Sequence, residues 1–326
     1  MRRWLWSLRG LALLLLGTLG CVPGEAQFLA YVPTHKSNSV SVINTSTNSV
    51  IDVIPVGVQP LSGAVSPNGQ EVYITNSGWF LPNNDVSVID TLTNTVVATI
   101  PVGRFPIGVA FTPDGAFAYV VNSGSNNVSV IDTSHRGTLA TINVGASPWG
   151  IAFTPNGAFA YVTNQSSNNV SVIDTATKNV VATVPVGNNP VGLAITPNGA
   201  FAYVANYLSN SISVISTATN TVVNTITVGT TPIAVAVTPN GTFAYVPNDG
   251  SNSVSVINTA TNAVVATVAV GTNPRGVAIT PDGIFAYVSN RISNTVSVIN
   301  TATNTVIATV TGVAVFPEAV AIAPAR

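Results

Sequence analysis

Charged side chains are scarce in this sequence. Lys, Arg, Asp and Glu together supply 6% of its 326 residues, and the net charge is −1. Ordinary soluble domains carry about 25%. No basic stripe is present to follow a phosphate backbone, which argues against nucleic acid as a partner. Cysteine occurs once, as Cys21, so no disulfide can form within the chain. Histidine occurs twice, as His35 and His135. No Cys-x-x-Cys, His-Glu-x-x-His, Gly-x-Ser-x-Gly, P-loop, dinucleotide fingerprint or haem-attachment motif is found. The expectation is therefore no metal site, no cofactor and no catalytic residues.

Long apolar runs are missing too. The longest lies in the leader, Leu11 to Leu16, too short for a spanning helix of about 20 residues. Arg2, Arg3 and Arg9 flank it as the positive region of an export signal over residues 1–26. Two exits are open. Gly24-Glu25-Ala26 permits cleavage before Gln27. Thr18-Leu19-Gly20-Cys21 resembles a loose lipobox, which would make Cys21 a lipidated N-terminus. Either exit implies a protein outside the cytoplasm, secreted, periplasmic or at the cell surface, with no transmembrane span in the mature chain.

What remains is Val, Ala, Ile, Thr, Ser and Asn, with a hydrophobic fraction of 46%. β-Branched residues suit a pleated, half-buried surface, so an all-β chain is expected. From residue 27 to 326 the sequence repeats. Tyr31, Tyr73, Tyr119, Tyr161, Tyr203, Tyr245 and Tyr287 open equivalent steps about 42 residues apart, with four extra residues in the second copy. Each copy holds four strand-length runs, for example Gly150–Thr154, Ala158–Thr163, Asn169–Asp174 and Asn179–Val186. Pro-Asn-Gly or Pro-Asp-Gly separates the first two, and Asp-Thr-Ala-Thr-Asn types the last two. Four antiparallel strands in this length make one propeller blade.

The series YVTN, NNVSVIDTAT and VVATVPVG in the fourth copy resembles the YVTN family of β-propeller repeats. That resemblance covers nearly the whole chain from Phe28 onward. It implies a propeller fold and a surface-layer or cell-surface setting, without naming a ligand. The expected architecture is seven blades of four antiparallel strands. The C-terminal segment Glu318–Pro324 reads as a first strand and Phe28–Pro33 as a second, so the two should pair and close the ring.

Function is sought where the copies differ. Turns on one face are nearly uniform. The opposite face carries Trp79, Phe80, Leu81, Arg104, Phe105, Trp149, Tyr207, Arg275 and Glu318, against a background that drifts among Ser, Thr, Asn and Gly. Aromatic and Arg side chains are those enriched in binding hot spots. The first expectation is thus a non-catalytic binding or structural module for a protein or a cell-wall glycan. The alternative is a propeller lactonase or lyase, in which Arg275, Glu318, Arg104 and His35 converge at the central mouth. A third reading is an accessory protein of a periplasmic redox system. A deep pocket holding Arg275, Glu318 and His35 favours the enzyme, and a shallow aromatic patch favours the binder.

Overall fold

The computed structural model describes residues 28–78 and 84–325. The leader with Cys21, and Trp79, Phe80 and Leu81, lie outside the described residues. Seven four-stranded sheets are present, all antiparallel. Blades two to seven take their strands in chain order, blade two starting at Pro60–Val65 and blade seven ending at Thr305–Val310. Blade one is composite: Ala321–Pro324 pairs with Phe28–Thr34, followed by Ser39–Asn44 and Ser49–Pro55. The register sets Leu29 opposite Ala323 and Tyr31 opposite Ala321. The two ends of the repeat array therefore close the ring. Among the described residues no helix is long and apolar enough to cross a membrane.

Burial explains the composition. The second and third strands of every blade are buried on both faces, as in Phe159–Asn164 and Asn169–Asp174, because each sheet lies between two others. Val, Ile and Ala fill most of both faces, and the polar residues that alternate with them in the third strands are satisfied internally, as where Asn164 Nδ2 donates to Ser171 Oγ at 2.9 Å. The outermost strands, such as Asn179–Pro185, are largely exposed. The core is divided into seven clusters, each containing one of the seven repeat tyrosines or a residue packed beside it.

The repeat tyrosines do more than pack. Their rings are fully buried, and five hydroxyls donate to an Asn of the next blade: Tyr31 to Asn94, Tyr161 to Asn220, Tyr203 to Asn262, Tyr245 to Asn304 and Tyr287 to Asn48. Burial pushes the Tyr203 hydroxyl up to about 12, so it remains a neutral donor. Each acceptor Asn has positive φ, 53° at Asn262, in the turn before the outer strand. Asn tolerates that conformation, which accounts for its place in Thr-Ala-Thr-Asn. Where the slot holds Arg136, the side chain instead reaches Glu71 of blade two at 2.6 Å. The preceding acidic or amide residue of these turns accepts backbone N–H groups, as Asp90 and Asn258 do, in keeping with a turn role.

Inner strands crowd the axis. A Cβ on Gly192 would stand 2.7 Å from Ala234 Cα, and one on Gly150 2.7 Å from the Val191 carbonyl. The inner strands of blades six and one are shorter than the sequence pattern implies, Ala236–Val237 and Ala321–Pro324. Both lie beside a proline of the second strand, Pro247 or Pro33. Ile233 N donates to Pro247 O and Glu318 N donates to Pro33 O, but neither proline can return the bond. The inner-strand carbonyls accept from the preceding blade, as Ile107 O and Val191 O also do in blades without that proline. Ile233 O accepts from Gly192 N at 3.0 Å, and Glu318 O accepts from the Ser289 hydroxyl.

Candidate functional site

Two rings of side chains surround the channel mouth on the variable face. The inner ring is the residue after the proline that opens each inner segment: Leu61, Ile107, Trp149, Val191, Ile233, Arg275 and Glu318. The outer ring is the first loop residue after the second strand: His35, Ser77, Ser123, Gln165, Tyr207, Asp249 and Arg291. In both rings every ionisable residue other than Tyr207 falls on blades six, seven and one. A cavity of about 190 Å³ opens between the inner strands and is lined by Arg275, Glu318, Trp149, Leu61, Ile107 and Ile233, among others.

Glu318 is the most constrained member. Its backbone is held on both sides, as described above, and only 8% of its surface is exposed. Its Oε1 accepts from Arg291 Nε at 2.7 Å. Its Oε2 stands 3.9 Å from Arg275 Nε. Arg275 also faces Asp249, whose Oδ2 is 3.7 Å away. These separations are ion-pair distances and exceed hydrogen-bond length, and Arg275 Nε has no hydrogen-bond partner among the described residues. Arg291 is held in place from its other side by Phe316, whose ring centroid is 4.4 Å from the guanidinium carbon. Lys36 Nζ lies 4.4 Å from the same ring. Phe316 has φ of 62°, a left-handed position shared with Phe105 and other residues of these inter-blade turns.

The electrostatics follow from burial. Desolvation raises the Glu318 carboxyl above its ordinary range, and the charges of Arg275 and Arg291 oppose that rise. Asp249 is raised for the same reason, against the same two arginines. His35 is lowered, by burial first and then by Arg291, Arg275 and Lys36. Its Nδ1 is buried without a hydrogen-bond partner among the described residues. A buried donor on Arg275 and a buried ring nitrogen on a neutral His35 are thus both unpaired, beside a carboxylate with one oxygen free of hydrogen bonds. Unpaired buried atoms also occur in the repeat Asn side chains, so it is the clustering of Arg275 with Asp249 and Glu318 beside the cavity that distinguishes this place. Among the described residues no group of three or more His, Cys, Asp or Glu side chains is placed to hold a metal ion.

Of the residues singled out in the sequence, Arg275, Glu318 and Trp149 meet in the cavity. Tyr207 packs against the hydrophobic cluster of blades five and six. Arg104 and Phe105 form their own exposed turn, 5.6 Å apart, with Phe105 over Gly124. Trp149, Tyr207 and Phe105 thus have different surroundings, while Trp79, Phe80 and Leu81 lie outside the described residues. Asp249 and Arg291 were missing from the sequence-derived set. Comparing the same slot across blades finds them, since Ser, Gln and Tyr stand at equivalent positions. His135 lies on the opposite face, with Nδ1 3.0 Å from Asp132.

Comparison with known proteins gives partial matches. Residues 182–324 match the family described as "Lactonase, 7-bladed beta-propeller". Residues 106–240 match the YNCE-like beta-propeller family. Both agree with the repeat resemblance at the level of fold and say nothing of a surface layer. No curated protein sequence matches the chain. Among solved structures, hydrazine synthase of Kuenenia stuttgartiensis is similar with TM-score 0.75 and 26% identity, over 83% of this chain and 92% of that one. A putative 6-phosphogluconolactonase from Bacteroides uniformis has TM-score 0.77 and 20% identity, over 91% and 100%. The periplasmic gluconolactonase of Pseudomonas aeruginosa has TM-score 0.77 and 17% identity, over 92% and 100%. At those last identities the likeness shows the fold alone.

These findings correct the expectation of a non-enzymatic module. The lactonase-family match spans Asp249, Arg275, Arg291 and Glu318, which lie within ion-pair distance of one another, and of these Arg275 and Glu318 line the cavity. The sequence misled for a geometric reason. The ionisable residues come from both ends of the repeat array, blades six, seven and one, and ring closure brings His35 and Glu318 of blade one beside Arg275 and Arg291 of blade seven.

Proposed function

We propose that this propeller is a lactone hydrolase with its site at the channel mouth. The observation that carries the reading is the pair Arg275 and Glu318, which line one cavity, with Arg275 Nε lacking a hydrogen-bond partner among the described residues and standing 3.9 Å from Glu318 Oε2. In lactone hydrolysis, water adds to the acyl carbon and the carbonyl oxygen gains negative charge. Arg275, with an unused Nε donor beside low-dielectric walls, stabilises that oxygen. Glu318, its Oε1 fixed by Arg291, takes a proton from the attacking water through Oε2. A carboxylate whose affinity for protons is raised by burial is a better base at neutral pH than a solvated one. His35, kept neutral by burial first and then by the neighbouring cations, is the second proton acceptor at the rim. The lactonase-family match over residues 182–324 supports the same class of reaction.

The test is a pH-stat assay of the purified protein with γ- and δ-lactones of varied substituents. Hydrolysis above the buffer rate is expected, with a loss of at least about a hundredfold in Glu318→Gln and Arg275→Gln. Absence of turnover on every lactone, or full activity in both variants, would overturn the reading.

A further inference from the structure

The cavity that Arg275 and Glu318 serve is apolar over most of its wall. The charged inner slots, Arg275 and Glu318, occupy blades seven and one, and Leu61, Ile107, Trp149 and Ile233 line the mouth elsewhere. A sugar lactone presents hydroxyls all around its ring. Here most of them would face hydrocarbon, and a buried hydroxyl left unpaired is unfavourable because it has lost its water partners. The charges at the mouth are also already matched. Arg291 is committed to Glu318, and Arg275 stands between Asp249 and Glu318. A phosphate would therefore have to compete with two carboxylates for its cation. The cavity volume of about 190 Å³ suits one ring, since an apolar cavity of about 150 Å³ admits benzene.

We infer that the substrate is an uncharged monocyclic lactone carrying an alkyl or aryl group. Its ester faces Arg275 and Glu318, and its hydrocarbon lies against Trp149, Ile107 and Leu61. This inference rests on the lactone-hydrolase reading above. The reaction balances with water alone. The water oxygen bonds to the acyl carbon and the bond from acyl carbon to ring oxygen breaks. One water proton ends on the released hydroxyl, and the other leaves as the new carboxylic acid ionises.

The experiment compares kcat/KM for δ-nonalactone and dihydrocoumarin with that for glucono-δ-lactone and its 6-phosphate, in the unaltered protein, Trp149→Ala and Leu61→Ser. A preference of at least about tenfold for the apolar lactones is expected, falling by about tenfold in the variants. The preference is a ratio within one preparation, so a partly unfolded variant does not distort it. Faster turnover of either sugar lactone overturns this inference and leaves the lactone hydrolase standing. A preference unchanged in both variants overturns the assigned apolar wall. No turnover of any of the four overturns both readings.

Discussion

Tyr203 Oη lies 2.6 Å from Asn262 Oδ1, tying the second strand of blade five to the turn before the outer strand of blade six. The hydroxyl belongs to a fully buried ring, and its acceptor has φ of 53°. Tyr203→Phe should cost about 1 kcal/mol, the usual net worth of such a bond. Asn262→Gly keeps the left-handed turn and removes the same acceptor. In a double-mutant cycle followed by denaturant unfolding, the pair should couple by about 1 kcal/mol. Additive effects would show that the bond is idle.

His35 gives the activity a predictable acid limit. Its folded-state proton affinity lies below the ordinary value of 6.5. Depression means that the folded protein favours the neutral ring. The associated stability is present above pH 6.5 and is lost as pH falls through the lower folded-state value. Activity should therefore persist at pH 6.5 and decline only at more acidic pH. The pH–rate profile of His35→Gln should lack that limb or show it shifted. An identical profile would remove His35 from proton transfer.

The Arg291–Glu318 contact joins the rim of blade seven to the closing segment. Arg291→Gln leaves a buried carboxylate with weaker support. A cost of about 1–3 kcal/mol is expected, below the range for a fully buried pair because Arg291 is partly solvated. Glu318 should also become harder to ionise, moving the acid limb of activity upward. Adding Glu318→Gln to that variant should restore part of the stability while abolishing turnover. Thermal melts and pH–rate curves on the single and double variants check both statements.

Ring closure depends on a short inner strand. Ala323 is fully buried opposite Leu29, in a cluster with Tyr31 and Ile74. Ala323→Asp places a charge there with no partner. The melting temperature should fall by at least about 10 °C, if the protein folds at all. Removing residues 318–326 should be at least as damaging. A melting curve unchanged by both alterations would deny that this strand secures blade one.

The propeller was legible because its information is local and repeated. The spacing of the tyrosines, the Pro-x-Gly turns and the incomplete first and last copies specify blade count and closure. The shortened inner strands were not legible. They depend on Pro33 and Pro247 lacking an N–H at one ladder position. The site was half legible. Arg275 and Glu318 begin neighbouring inner segments, so their meeting followed from the ring. Asp249 and Arg291 stood in loops whose inward reach is set by the turns beneath them. Trp149 and Tyr207 looked alike as isolated aromatics, and both pack against the cluster of blades five and six, yet Trp149 also lines the cavity and Tyr207 does not. The assumption that aromatics mark the functional surface misdirected the reading from chemistry to adhesion.

The inner and outer rings each place one variable residue directly after a structural anchor, a proline in one and the end of a buried strand in the other. That arrangement separates recognition from architecture. The mouth is fourteen sockets on a fixed frame, in which selectivity can be rewritten one socket at a time while closure, tyrosine latches and blade packing are left as they are.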